Sequence, residues 1–325
     1  MNVHQSLFDK GRGEGILMVQ TNFPLPYGFA WQYRWIVAIQ SHASPHLDSL
    51  ARMLSWLGLE PFYLLLLPVL YWSVNRKFGM RMAYVFVLGM AVNSWLKTSF
   101  GWVRPIGVPG IRSGYTSSIG DAIYSMPSGH AQGTMMFWTL LGRWFKRKVL
   151  WAIGILLVAL IGWSRVYLGL HWPLDVIVGW ALGFFLAYVG WSIGTWWSYR
   201  EVPFSWKWTA AVVLPLVLLS FQQTASGQQY CGFLLGMGVG AVLEERFVGS
   251  VSGKSIWQRV AASIIGMAGL IGVQWGMKSV IAHVAWSTGV GLVAQTTAMG
   301  LFATFVAPLL FQLAGIYASR NQTTA

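Results

Sequence analysis

The stretch LLVALIGWSRVYLGLHWPLDVIVGWALGFFL, residues 156–186, places two apolar runs on either side of a short polar turn. The runs extend over 148–166 and 172–197. A helix needs about 20 apolar residues to cross the hydrocarbon of a bilayer, so each run is long enough to span. The junction of the two runs, Ser164 to Asp175, carries Arg165, His171 and Asp175. Ionisable groups close to membrane depth are costly, and their presence there points to a function.

The rest of the chain has the same character. Of 325 residues, 55% are hydrophobic and 10% are charged, against about 25% charged in soluble domains, which excludes the soluble globular class. Cys231 is the single cysteine, so neither an intrachain disulfide nor a cysteine-based metal cluster is available. The formal charge is +13, but the cations are scattered between apolar runs and build no continuous basic face. Nucleic acid is therefore not an expected partner; the cations read as topology signals and as contacts to anionic membrane lipids. The first twenty residues mix Asp9, Lys10, Arg12 and Glu14 with a brief GILMVQ, so no cleavable signal is expected and the mature chain is expected to be the whole chain.

A transmembrane window predicts spans at 58–75, 80–100, 130–146, 148–166, 172–197, 207–222, 229–244, 257–282 and 287–317. The expected fold is all-α: a polytopic transmembrane bundle of about nine spans, preceded by helices lying at the interface. Three segments follow: an N-terminal interfacial part (1–57), a core (58–200) and a C-terminal extension (205–325). Arg76, Lys77 and Arg81 follow the first span, and Arg143, Lys146, Arg147 and Lys148 follow the third. By the positive-inside tendency these links are cytoplasmic, which sends 97–130 and 164–172 to the outer side. GFLLGMGVG, Gly232 to Gly240, suits close helix packing within the chain and leaves a homodimer open. Glu244, Glu245 and Arg246 read as a solvated cluster at a span end, and Trp172 as one of several interfacial anchors.

Three motifs lie on the outer side. KTSFGWVRP, Lys97 to Pro105, spaces Lys97 and Arg104 about two helical turns apart, so on a helix both point one way, and Pro105 favours a helix end just before it. Alone, the pair reads as snorkelling cations. YSMPSGH, Tyr124 to His130, offers Ser128 as an N-cap; the same helix start aims N–H groups and a positive dipole end outward, an anion site beside His130. In the third motif His171 and Asp175 are four apart, so on a helix they share a face and the carboxylate fixes the imidazole tautomer, freeing the other nitrogen to attack. Three cations, a helix start, two histidines and an orienting carboxylate suit the binding and transfer of phosphate.

These motifs resemble, without a substitution, the three-part signature of the type 2 phosphatidic acid phosphatase superfamily, which includes membrane lipid phosphatases and soluble vanadium haloperoxidases. The residues that carry the resemblance are Lys97, Arg104 and Pro105; Pro127, Ser128, Gly129 and His130; and Ser164, Arg165, His171 and Asp175. It covers about residues 50–200, with the later spans outside it, and GVGAVLEERF resembles tails on bacterial members similar to sphingosine-phosphate phosphatases. The resemblance implies a five- to six-helix phosphatase core. His171 would be the nucleophile, Asp175 its orienting partner and His130 the acid and base; Lys97, Arg104, Arg165, Ser128 and Gly129 would hold the phosphate.

The expected activity is metal- and cofactor-free hydrolysis of a lipid phosphate or diphosphate at the outer face of a bacterial inner (plasma) membrane. Undecaprenyl diphosphate, phosphatidic acid, phosphatidylglycerol phosphate and sphingoid-base phosphates all fit. A lipid phosphotransferase and a lipid transporter with a phosphatase-like core are the alternatives.

Overall fold

The structure is a computed structural model and describes residues 29–113, 123–200, 202–251, 255–284 and 286–319. Residues 1–28 of the expected interfacial segment, with the region considered for a signal, lie outside the described residues. The described chain is helical: α1 (Phe29–Gln40), α2 (Pro45–Leu57), α3 (Glu60–Val69) continued by a π-helical turn (Leu70–Val74), α4 (Arg76–Phe100), α5 (Gly129–Phe145), α6 (Lys148–Tyr167), α7 (Pro173–Tyr199), α8 (Phe204–Ser220), α9 (Ala225–Phe247), α10 (Ile256–Val284), α11 (Thr288–Leu301) with a π-helical turn (Phe302–Val306), and α12 (Ala307–Leu313). Two short strands, Ser250–Val251 and Ala318–Ser319, pair antiparallel.

Four helical stretches are long and apolar enough to cross a membrane: α6, α7, α10 and the continuous Thr288–Leu313. A fifth arises if α2 and α3, bent by 44°, form one broken span. The chain is thus an integral membrane protein with four or five such stretches by composition, fewer than the nine expected. Helices also occupy the remaining expected positions, but α5 and α8 are only 17 residues long, and α4 and α9 are less apolar. The physical reason is placement. A helix surrounded by protein meets neighbouring side chains rather than lipid, so it can carry glycine and amides where a peripheral helix needs leucine.

α4 and α9 occupy that interior. Tyr63 of α3, Phe86 of α4, Phe137 and Leu140 of α5 and Leu234 of α9 form one buried cluster. A second joins Trp72 to Leu270, Phe302 and Phe311, with Trp72 Nε1 donating to the Ala303 carbonyl at 2.8 Å. The extension therefore packs directly on α3 and α4. Its Gly232–Gly240 segment provides close packing within the chain: a Cβ on Gly236 would lie 2.0 Å from the Thr297 carbonyl oxygen, so α9 and α11 touch backbone to backbone. Glu244 departs from the sequence expectation. It is fully buried and pairs with Arg76 across the α4–α9 interface, whereas Glu245 pairs at 2.6 Å with Lys207.

Candidate active site

The site forms where α5 and α7 begin and where α4 and α6 end. α7 approaches α5 closely because it presents glycines there: a Cβ on Gly179 would stand 2.7 Å from the Ser128 carbonyl oxygen, and one on Gly183 2.5 Å from that of Gln132. The two helix starts are joined by the Ser128 amide, which donates to the Asp175 carbonyl at 2.9 Å. Asn93 of α4 secures the same corner, donating to the Pro127 carbonyl (3.3 Å) and to Gln132 Oε1 (2.7 Å).

His171 lies in the turn before α7, not on the helix as its spacing suggested. Its carboxylate partner reaches it by capping: Asp175 Oδ2 accepts from the Trp172 amide at 2.9 Å and meets His171 Nδ1 at 3.3 Å. On the other side of the ring, Arg104 Nη1 lies 2.9 Å from Nε2 and also donates to the Leu170 carbonyl at 2.9 Å. A guanidinium can only donate, so Nε2 is the acceptor and the ring proton sits on Nδ1, facing Asp175. The tautomer is thereby set from both sides. His171 is 1% exposed, and its pKa lies well below the usual histidine range, first because of burial and then because Arg104, Lys97, Arg165 and His130 bear on it. Neutral imidazole is the resting form.

The cations arrive from three elements. Lys97, in the last turn of α4, donates to the Tyr124 and Ser125 carbonyls at 3.3 and 3.1 Å. Arg104 is not on α4, contrary to the two-turn reading: the helix stops at Phe100, four residues before the position that Pro105 suggested. Gly101, at φ 64°, turns the chain in the left-handed region, so Arg104 reaches the site from a loop. Burial moves its pKa down to about 10, which still leaves it charged at neutral pH. Arg165 is buried in the last turn of α6 and donates to Ser55 of α2, while its carbonyl accepts from the Leu170 and His171 amides at 3.1 and 3.3 Å.

The Ser128 hydroxyl does not cap α5 as expected. It is buried without a hydrogen-bond partner among the described residues, and the Ser128 amide donates to the Asp175 carbonyl. Gln132 makes the first intrahelical bond, to the Ser128 carbonyl at 3.0 Å, which leaves the Gly129, His130 and Ala131 amides as first-turn donors. His130 Nε2 also has no hydrogen-bond partner among the described residues, and its ring abuts the α2–α3 link, 3.0 Å from where a Cβ on Gly58 would stand. All eight candidate residues therefore sit in one region, where the Ser128 amide is already bonded to Asp175 and Ala131 joins Gly129 and His130 as a first-turn donor.

The sequence reading missed the supports. Asn93 and Gln132 carried a signal, being amides inside apolar runs. Ser55, Gln32 and Gln40 carried none. Gln32 accepts from the Leu174 amide at 3.0 Å, and Gln40 donates to the Arg112 and Tyr167 carbonyls at 2.7 and 2.8 Å. Arg112 makes a two-pronged bond to Asp48, 2.8 Å on each side, and Tyr167 donates to the same carboxylate at 2.6 Å. Helices α1 and α2 thus strap the Arg104 loop to the His171 turn. Trp172 is no interfacial anchor: it is 1% exposed, packs edge-on against Phe29 and donates to the Val103 carbonyl at 2.9 Å.

Residues 78–199 match the PAP2 superfamily, and residues 228–320 match the PAP2 superfamily phosphatase transmembrane extension. The chain carries a PAP2 superfamily domain together with that transmembrane extension. It is 32% identical over 119 residues to an undecaprenyl-diphosphatase of Sulfolobus acidocaldarius, covering 35% of this chain and 54% of that protein. It is 35% identical over 132 residues to sphingosine-1-phosphate phosphatase 1 of Mus musculus, covering 38% and 29%. The chain spans about half the length, or less, of such relatives. Among solved structures, Aquifex aeolicus LpxE aligns with a TM-score of 0.46 at 24% identity, over 52% of this chain and 99% of that one.

Proposed function

We propose that the protein is an integral-membrane phosphatase that removes phosphate from a lipid phosphate or diphosphate through a phosphohistidine on His171, without a metal. The observation that carries this reading is the Arg104–His171–Asp175 chain, which leaves the lone pair of a neutral imidazole on Nε2 beside three cations. An arriving phosphate draws the Arg104 donor onto one of its oxygens, and Nε2 is released to attack phosphorus in line. Lys97, Arg104, Arg165 and the first-turn amides of α5 spread over the remaining oxygens and stabilise the charge of the transition state.

As the Nε2–P bond forms and the P–O bond breaks, His130, which takes up a proton when the anionic phosphate binds beside it, gives that proton to the departing lipid oxygen. It then takes one from the water that attacks phosphorus, and the N–P bond breaks to regenerate His171 and release inorganic phosphate. Fixed cations do the neutralising, so activity should survive EDTA. The positive-inside pattern and the presence of a helix at each of the nine expected positions favour nine spans, with this site on the extracytoplasmic side. Relatives bearing undecaprenyl-diphosphatase and sphingosine-1-phosphate phosphatase names support a lipid phosphate substrate.

The test is phosphate release by the purified protein over a panel of lipid phosphates and diphosphates, with and without EDTA, and with His171→Ala as the control. Release by the wild type alone is expected. Equal release by both proteins would remove the reading, and an EDTA loss restored by magnesium would remove its metal-free part.

A further inference from the structure

The far ends of α5 and α7, away from His130 and His171, enclose a second feature. A cavity of about 460 Å³ opens there, lined by Arg143, Trp191, Ser192, Thr195, Trp196 and Arg200 among others. Arg143 lies over the Tyr188 ring at 4.6 Å and over Trp191 at 5.5 Å. Stacking occupies the faces of a guanidinium and leaves its five N–H donors in the plane, so Arg143 is held in place with its donors unspent on the rings. None of the ion pairs among the described residues uses Arg143 or Arg200; Glu201 lies outside the described residues.

Charge decides the sign of the occupant. Two helix C-termini meet here and bring about half a negative unit each. Arg81, Arg143 and Arg200 bring three positive charges, and Lys146, Arg147 and Lys148 lie just beyond. The surplus is positive. Exposed Phe185, Tyr188 and Trp196 continue the same flank of α7 as an apolar track for a hydrocarbon chain.

The hydroxyls refine the choice. Ser192 donates to the Tyr188 carbonyl at 3.0 Å and Thr195 to that of Trp191 at 2.8 Å, while Arg81 donates to Thr195 at 3.1 Å. While that bond stands, the Ser192 oxygen keeps lone pairs that can accept from an alcohol, and the hydroxyl would have to rotate to donate to a phosphate oxygen.

We infer that this cavity binds an anionic phospholipid with a hydroxyl-bearing headgroup, its phosphodiester on Arg143 and Arg200 and its headgroup alcohol donating to Ser192. The assignment uses nothing of the catalytic reading. It is tested with the full chain in phosphatidylcholine nanodiscs doped with phosphatidylglycerol, a diester with no terminal phosphate to remove, by native mass spectrometry of the lipids retained.

Wild type should keep phosphatidylglycerol over phosphatidylcholine. Arg143→Gln combined with Arg200→Gln should weaken retention about 25-fold, at roughly fivefold per cation. Ser192→Ala, at an exposed position that folding tolerates, should weaken it about fivefold. Retention unchanged in both variants overturns the site. Equal displacement by soluble glycerol phosphate overturns the lipid assignment in favour of a free anion.

Discussion

The two ends of α7 use the same kinds of side chain to opposite effect. At the first end Arg165, His171 and Asp175 are almost wholly buried, each held by backbone or side-chain partners from other helices. At the far end of this 27-residue helix, about 40 Å away by helical rise, Arg143 lies against aromatic rings and lines an open cavity with Arg200. Burial with fixed partners sets a tautomer and a charge state; exposure with stacking leaves cations ready to exchange occupants. A buried charge or dipole is costly to leave unpartnered, so the first end tolerates little change, whereas the second is cushioned by water and headgroups.

The largest expected effect comes from removing the proposed nucleophile. His171→Ala should lower phosphate release by about 10⁴-fold or more, measured at saturating substrate. His130→Ala should cost about 10²–10⁴-fold, and a burst of phosphorylated protein followed by slow release would mark its second, water-activating step.

Gly179→Ala and Gly194→Ala set the two ends directly against each other. The added methyl at 179 meets the Ser128 carbonyl at 2.7 Å, and backbone must shift; at 194 it meets the movable Arg81 side chain, with its nearest atom at 2.8 Å. The first variant should lose about 1–3 kcal/mol of stability and a large part of its turnover, the second little of either. Equal thermal shifts for the two would break the comparison.

Asp48→Asn weakens the strap over the Arg104 loop. Half of the Arg112 side chain is exposed, so the loss should be about 1 kcal/mol, read as a roughly fivefold fall in kcat/KM for phosphate release. The smallest effect is on pH. Since the His171 pKa is lowered, the ring stays neutral as pH falls through 6.5, and the acid limb of kcat/KM due to it should lie below that value. An unfolded His171 binds a proton near 6.5 and the folded one does not. Its contribution to stability is therefore present above 6.5 and declines below, and the wild-type melting temperature should fall across that range more than that of His171→Asn.

Much of this was legible beforehand in particular residues. The apolar runs around 156–186 required membrane helices, and the ordered motifs from Lys97 to Asp175 named all eight candidate residues. The details that failed did so for identifiable reasons. The spacing of Lys97 and Arg104 suggested one helix, but Gly101 turns left-handed between them. Spacing also placed His171 on α7, whereas Pro173 begins that helix and Asp175 reaches back by capping. Ser128 does stand at the N-cap position, but its hydroxyl makes no capping bond to the first turn of α5.

Local chemistry is written in local sequence: periodicity, turn residues and motif spacing need only near neighbours, and these determined the helical membrane class and which residues are candidates for the site. What the tertiary structure alone decided are the contacts between distant segments. Arg112 meets Asp48 across 64 positions and Arg165 meets Ser55 across 110, while the glycines of α7 and α9 work only because another backbone lies against them. Such contacts depend on how helices pack in three dimensions, which no short window of residues contains.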